Sequence, residues 1–255
     1  MKENLISLGS IVRKEVVRIF RIWVQTLVPP VITMTLYFII FGNFIGSQLR
    51  DIGGYDYMAF IAPGLIMMAI ITNSYSNTVS SFFSTKFQRN IEELLVSPTP
   101  NWVIVLGYIS GGMSRGLSVG ILVAAVSLVF VRLPLHNLTF TLLFAVLTSF
   151  VFSLAGMING IFAKKFDDIS IIPTFVITPL TYLGGVFYSI SLLPPFWQGV
   201  SKANPIIYMI SGFRYGFLGI TDINVWVGAA MLVLFSLLLF GANLFLLQRG
   251  TGIRT

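Results

Sequence analysis

The apolar residues of this chain fall into long runs, not into the short alternating patterns of strands. A helix of about 20 apolar residues crosses the ~30 Å hydrocarbon layer of a membrane. Six runs reach that length, so the pattern predicts an all-α polytopic membrane protein with six transmembrane helices. The predicted spans are residues 22–45, 58–80, 102–131, 138–162, 169–190 and 225–247.

The segment between the second and third spans, residues 84–100, has the pattern of a short amphipathic helix. Thr85 and Gln88 form a capping box and Ser97 with Pro98 provides a stop, which predicts a helix over residues 86–96. Its apolar stripe is Phe87, Ile91, Leu94 and Leu95, and its charged face is Lys86, Arg89, Glu92 and Glu93. Such a helix lies in the headgroup layer or binds a protein. The balanced charge favours a protein partner.

The segment after the fifth span, residues 183–219, consists of apolar pieces too short to cross a membrane. Prolines divide it, and its longest apolar stretch, residues 206–217, has the length of a re-entrant or interfacial helix. Its aromatic residues either anchor it at the outer interface or belong to an external gate. The gate candidates are Asn204, Pro205, Tyr208 and Arg214.

Two spans carry polar residues that lipid cannot surround. In the second half of span two, polar side chains occupy the whole circumference, and Asn73 and Asn77 share a face. In span five, two prolines interrupt the hydrogen-bond ladder near Thr178 and Tyr182. These four side chains are candidates for lining a substrate pathway, and helix packing is the alternative.

Small residues and one arginine mark the third and fourth spans. Glycines recur every four residues in both spans and predict close helix packing. They are Gly112, Gly116, Gly120, Gly156 and Gly160. Arg115 lies near the cytoplasmic end of the third span. It either reaches the headgroups or takes part in an ion pair or a substrate contact in an inner vestibule.

Composition and charge agree with a membrane domain. Hydrophobic residues make up 56% of the 255 residues and charged residues only 10%, so one membrane domain, residues 1–255, accounts for the chain. The net charge of +7 comes from basic residues at the ends of spans, which favours topology signals over nucleic-acid binding. The loops on the side of the termini hold eleven Lys and Arg, and the opposite loops hold four. Both termini are therefore expected in the cytoplasm.

Several functions lack the residues that they need. There is no cysteine, only one histidine, and no glycine followed by lysine, so thiol chemistry, a metal cluster and a phosphate-binding loop are all missing. An intramembrane enzyme is therefore not indicated. All nine acidic residues lie outside the predicted spans, which argues against a proton-coupled carrier. A sodium-coupled carrier and a non-transport membrane assembly protein remain alternatives.

Four sequence stretches resemble the type-2 ATP-binding-cassette exporter permeases. They are ELLVSP at 93–98, TLVPPVITMTLYFIIFG at 26–42, PLTYLGGVFYS at 179–189, and residues 183–219 with Asn204, Pro205 and Arg214. The resemblance covers nearly the whole chain. It implies a multi-pass permease of the bacterial inner membrane, coupled through residues 86–96 to a cytoplasmic ATPase subunit that holds ATP and Mg²⁺. It also implies a second permease copy, as a homodimer or with a close relative.

Overall fold

The computed structural model describes residues 2–45 and 52–252. Two basic residues that enter the charge count, Arg50 and Arg254, lie outside these ranges. Within them the chain is helical and forms no β-strand. The all-α prediction is confirmed.

Eleven α-helices follow one another along the described chain, and π-helical segments follow α2 (38–45) and α7 (173–177). The first six are α1 (Lys2–Arg21), α2 (Trp23–Tyr37), α3 (Tyr57–Phe87), α4 (Asn90–Val96), α5 (Asn101–Phe130) and α6 (Leu138–Phe162). The others are α7 (Asp168–Ile172), α8 (Thr178–Leu183), α9 (Pro195–Ala203), α10 (Pro205–Leu218) and α11 (Val225–Arg249).

Five helices in the described ranges are long and apolar enough to cross a membrane. They are Trp23–Gly42, α3, α5, α6 and α11. The predicted fifth span, residues 169–190, is shorter than expected because its helical run, Asp168–Leu183, ends before Gly184. Gly185 has a φ of +78°, a left-handed conformation that does not continue a right-handed helix. The boundary at residue 190 is therefore wrong.

The central helix of the bundle is α3, in which every residue from 57 to 71 is buried. Helices α5 and α6 pack along it. A methyl group at Gly112 or Gly116 would overlap the side chains of Thr78 or Ser74, and one at Gly156 would lie 2.6 Å from the carbonyl oxygen of Tyr75. The predicted packing role of these glycines is confirmed. Ser74 and Thr78 of α3 are thus buried against glycines, as the packing alternative requires.

The N-terminal helix α1 precedes the first span and packs against α5. Its buried residues, Ile11, Glu15 and Ile19, recur every four positions and so form one face. Two of them are apolar and the middle one is a carboxylate. Helix α1 therefore brings an acidic group into the bundle from outside the predicted spans.

Candidate functional site

The connection from α3 to α4 differs from its predicted form. Helix α3 continues to Phe87, and Arg89 takes a left-handed conformation with a φ of +62° before α4 begins at Asn90. The hydroxyl of Thr85 donates to the Ser81 carbonyl inside α3, at 3.0 Å. Thr85 is thus not a cap, and the predicted helix start at Lys86 is wrong. The reason is tertiary, because the neighbours Phe82 and Phe83 are buried in the bundle and extend α3.

Lys86 fastens two helices together. Its ammonium group donates to the carbonyl oxygens of Ile161, at 2.6 Å, and Ala163, at 2.8 Å, where α6 ends. The last carbonyls of a helix have no partner within the helix, and a cation satisfies them and complements the helix dipole. Lys86 therefore caps α6 from the end of α3.

Helix α4 has one buried side and one charged side. Ile91 is 1% exposed and Leu94 is half-buried, while Glu92 and Glu93 are exposed. The side chain of Leu95 lies outside the described part of the chain. The helix ends where predicted, because Ser97 donates through its hydroxyl to the Leu94 carbonyl at 2.7 Å. The exposed carboxylates give α4 an acidic outer face.

Clefts open on both sides of α4. One, of about 530 Å³, is bordered by the aromatic residues Phe83, Phe87 and Phe162 and by the cations Lys86, Arg89 and Lys164. The other, of about 430 Å³, lies between α4 and α1 and reaches Tyr108 of α5. Phe87 belongs to the first cleft, is 59% exposed and contacts the ring of Phe166 at a centroid distance of 5.0 Å. Helix α4 therefore forms a ridge between two grooves.

The loop that carries Phe166 is held by Asp168. Its carboxylate accepts hydrogen bonds from the backbone amides of Lys164, at 2.8 Å, and Lys165, at 3.0 Å. Both donors are backbone amides, so the carboxylate fixes the turn that precedes α7. The loop beside the first cleft is thus fixed.

The four pathway candidates do not contact one common partner. Asn73 donates to the Ala69 carbonyl within α3, at 2.9 Å, while Asn77 accepts from Arg18 at 3.2 Å. Thr178 donates to the Pro173 carbonyl, at 2.9 Å, and the hydroxyl of Tyr182 lies 2.8 Å from that of Tyr37. The asparagines thus lie in the bundle and beside α1, whereas Tyr182 joins the run Asp168–Leu183 to the first span.

Sequence reasoning missed Glu15. Its side chain is 1% exposed, its two oxygens lie 2.8 Å from the hydroxyl of Ser81, and Arg18 donates to it at 2.9 Å. The signal was present in the spacing of Ile11, Glu15 and Ile19, which puts the carboxylate at the centre of an apolar stripe.

The segment between α8 and α11 converges on Arg214. This residue is 1% exposed, and it donates to the carbonyls of Phe60, at 3.3 Å, and Gly185, at 2.6 Å. Its guanidinium also covers the ring of Phe60 and lies 3.5 Å from Asp222, which accepts a hydrogen bond from Ser189. Arg214 thus joins α10, the N-terminal end of α3 and the loops before and after the segment.

The other gate candidates fix the start of α10. Asn204 caps it by accepting from the Ile206 amide at 3.0 Å, and it also donates to the Leu180 carbonyl at 2.6 Å. Pro205 is the first residue of the helix, where proline is favoured, and Tyr208 donates to the Lys202 carbonyl at 3.0 Å. Asn204 and Arg214 therefore both hold the chain near the end of α8.

The described chain is an apolar helical bundle with a charged ridge at α4 and a short-helix segment held by Arg214. The chain belongs to the ABC-2 type transporter family, whose pattern matches residues 7–218. It is a multi-pass inner-membrane transport permease of an ABC system.

Its relatives include one close protein and several distant ones. It is 63% identical over 250 residues to the inner membrane transport permease YadH of Escherichia coli K12, covering 98% of each chain. It is 26% identical over 217 residues to nodulation protein J of Neorhizobium galegae, covering 84% of this chain and 82% of the relative. The same-named protein of Sinorhizobium fredii is 27% identical over 208 residues, covering 80% of this chain and 79% of that relative.

Proposed function

We propose that this chain is the membrane subunit of an ABC exporter, driven by a separate cytoplasmic ATPase that docks on α4. The observation that carries the proposal is the ridge itself, which presents Glu92 and Glu93 between two grooves directly after the central helix. In this proposal the partner holds ATP and Mg²⁺, and the permease, a single domain, binds no cofactor and is not an enzyme. Export is the proposed direction.

The proposed topology has six spans with both termini in the cytoplasm. Five spans are the long apolar helices, and the run Asp168–Leu183 would be the remaining one. At 1.5 Å per residue, sixteen helical residues span about 24 Å, which a small thinning of the bilayer accommodates. The basic residues of α1 and of the loop at 164–165 support a cytoplasmic position for the ridge.

Cysteine labelling tests this topology, because the natural chain has no cysteine. Asn90 and Lys202 are both exposed, and the proposal assigns them to opposite sides. In intact spheroplasts an impermeant maleimide should label Lys202→Cys at once and Asn90→Cys only after permeabilisation. The reverse order of labelling would show that the orientation is opposite to the proposed one.

Charge reversal on the ridge tests the ATPase proposal. Changing Glu92 and Glu93 together to lysine replaces an acidic face by a basic one, and a partner surface that complements the carboxylates would then be repelled. We expect at least about tenfold less ATPase to copurify at low salt, with a smaller difference at high salt. The measurement is the ratio of ATPase to permease after affinity purification in detergent.

Two further variants make this experiment specific. Asp56→Lys reverses an exposed acidic residue that the topology assigns to the opposite side, and it should retain the full complex. Phe87→Ala removes an exposed ring beside the ridge and should weaken binding by about 2 kcal/mol if this ring is a central contact. If the double lysine variant and Phe87→Ala both bind the ATPase as the parent does, the docking surface is not at α4.

A second permease copy completes the proposed transporter. The run Asp168–Leu183 exposes Ile171, Phe175 and Val176, with Phe175 74% exposed, and α2 exposes Ile32 and Leu36. The Tyr37–Tyr182 contact joins these two elements. Such faces fit either lipid or another copy, and the proposed homodimer uses this side of the bundle. Lipid covers the remaining apolar surface.

The alternative of an ion-coupled carrier gains one new observation from Glu15. A buried carboxylate near the membrane is a candidate for proton coupling. Its contacts with Arg18 and Ser81, however, are those of a structural ion pair. A non-transport assembly role would need no ATPase, and the copurification experiment separates it from the exporter.

A further inference from the structure

Helix α1 meets α3 and α5 at a cluster of four charged or amide side chains. They are Glu15, Arg18, Asn77 and Arg115, called here the arginine cluster. Arg18 donates from one terminal nitrogen to Glu15, at 2.9 Å, and to Asn77, at 3.2 Å. The oxygens of Glu15 also contact the hydroxyl of Ser81. The one carboxylate of the cluster is therefore already engaged.

Arg115 reaches the cluster from α5. It follows Gly111 by four residues, so the two positions lie on one face of the helix. At Gly111 the helices nearly touch, because an added Cβ would lie 2.9 Å from Glu15 and 3.1 Å from the Asn77 amide nitrogen. Arg115 follows this contact by one helical turn, about 5.4 Å, along the same face of α5. The cluster thus holds two guanidinium groups and one carboxylate.

Three of its donors have no acceptor. The Nε atoms of Arg18 and Arg115 and the amide nitrogen of Asn77 are buried, and no residue in 2–45 or 52–252 accepts a hydrogen bond from them. A buried donor without an acceptor costs about 1–3 kcal/mol, and more when it is charged. An excess positive charge together with three free donors is complementary to an anion that offers several oxygen atoms.

The cluster is open on one side. The side chain of Arg18 is 34% exposed, whereas that of Glu15 is 1% exposed. In the proposed topology α1 lies at the cytoplasmic surface, where phospholipid headgroups and soluble phosphates are both present. The inference rests on that position of α1 and does not depend on ATPase docking.

We propose that the arginine cluster binds a phosphate group, carried by a phospholipid headgroup or by a water-soluble molecule. Arg18 and Arg115 would donate to its oxygens from two sides, with the Asn77 amide as a third donor. Phosphate fits because it combines negative charge with three acceptor oxygens, and guanidinium groups bind it through charge-assisted hydrogen bonds. Glu15 would keep Arg18 in place from the opposite side.

Lipid binding to the purified, delipidated permease without its ATPase tests the site. The probes are phosphatidylglycerol and diacylglycerol with the same acyl chains, which differ in the phosphate headgroup, and binding is counted by native mass spectrometry. The parent should prefer phosphatidylglycerol, and Arg115→Gln should reduce its affinity about tenfold. Arg132→Gln, the same change at an exposed position just after α5, should leave it unchanged.

Inorganic phosphate, with thermal unfolding as the readout, distinguishes the two sources. A phosphate-dependent rise in melting temperature that Arg115→Gln abolishes, without a preference for phosphatidylglycerol, would assign the site to a soluble phosphate. If Arg115→Gln does not fold, both measurements are made with Arg18→Gln, which changes the more exposed arginine of the cluster. The proposal is overturned if neither probe binds more tightly to the parent than to the folded arginine variant.

Discussion

Replacing Gly116 by leucine should prevent the permease from accumulating in a folded form. The position faces α3, where an added Cβ would overlap Ser74 and lie 3.0 Å from the Ile70 carbonyl oxygen, and backbone cannot move aside as a side chain can. Overpacking of this kind costs about 1–3 kcal/mol and occasionally more, and a leucine exceeds the single Cβ by three further carbons. Fluorescence-detected size-exclusion chromatography should show loss of the monodisperse peak.

Gly241→Leu is the matched control for this prediction. It makes the same change in another spanning helix, α11, at a position where nothing lies within 4 Å of an added Cβ. It should give the parent's elution profile and melting temperature. Equal behaviour of the two variants would mean that α3 and α5 are not in close contact at Gly116.

Replacing Arg214 by methionine should loosen the short-helix segment between α8 and α11 while the spans remain folded. The change removes hydrogen bonds to the carbonyls of Phe60 and Gly185 and leaves Asp222 without its cation. Removing one partner of a buried ion pair costs about 3–5 kcal/mol. We expect a lower melting temperature in detergent and faster proteolysis within residues 184–204, which Arg214 no longer holds.

Two controls assign that effect to the contacts of Arg214. Arg132→Met removes an exposed arginine on the same side and should not change the melting temperature. Adding Asp222→Asn to Arg214→Met removes the uncompensated carboxylate and should restore part of the stability. An Arg214→Met permease as stable and as protease-resistant as the parent would show that these contacts of Arg214 do not hold the segment.

The predictable part of the fold is the part that composition alone decides. The third and fourth spans were predicted within one residue, since long apolar runs end there at unambiguous polar residues. Asn137, for instance, caps α6 by accepting from the Phe140 amide. The glycine faces were equally clear, because small residues at every fourth position of a membrane helix have few uses other than close helix packing.

The errors arise where distant contacts outweigh local sequence. Thr85 and Gln88 have the spacing of a capping box, but α3 passes through both Thr85 and Lys86, and the end of α6 binds Lys86. In span five, Gly185 takes a left-handed conformation and leaves its carbonyl to Arg214, which is 29 residues away in the sequence. Neither the contact between Lys86 and α6 nor the contact between Gly185 and Arg214 can be inferred from the local sequence pattern.

The candidate sites divide in the same way. The acidic face of α4 follows from helical spacing, so sequence predicted Glu92 and Glu93 as exposed residues. Sequence could also single out Asn77 and Arg115 as unusual for a span. It could not bring them together with Glu15 and Arg18, because those residues precede every span and reach the cluster only when α1 folds back on the bundle.

The junction between α3 and α4 has a mechanical consequence. Only Gln88 and Arg89 separate the two helices, and Arg89 holds a conformation that a non-glycine residue rarely takes. Two fully extended residues span at most about 7 Å, and two residues in a tight turn span far less. In the proposed coupling, a displacement of α4 would therefore be passed to the buried part of α3 with little loss in the connection. Glycines inserted between α3 and α4 would make this connection longer and more flexible. A displacement of α4 would then be absorbed by the connection before α3 moved.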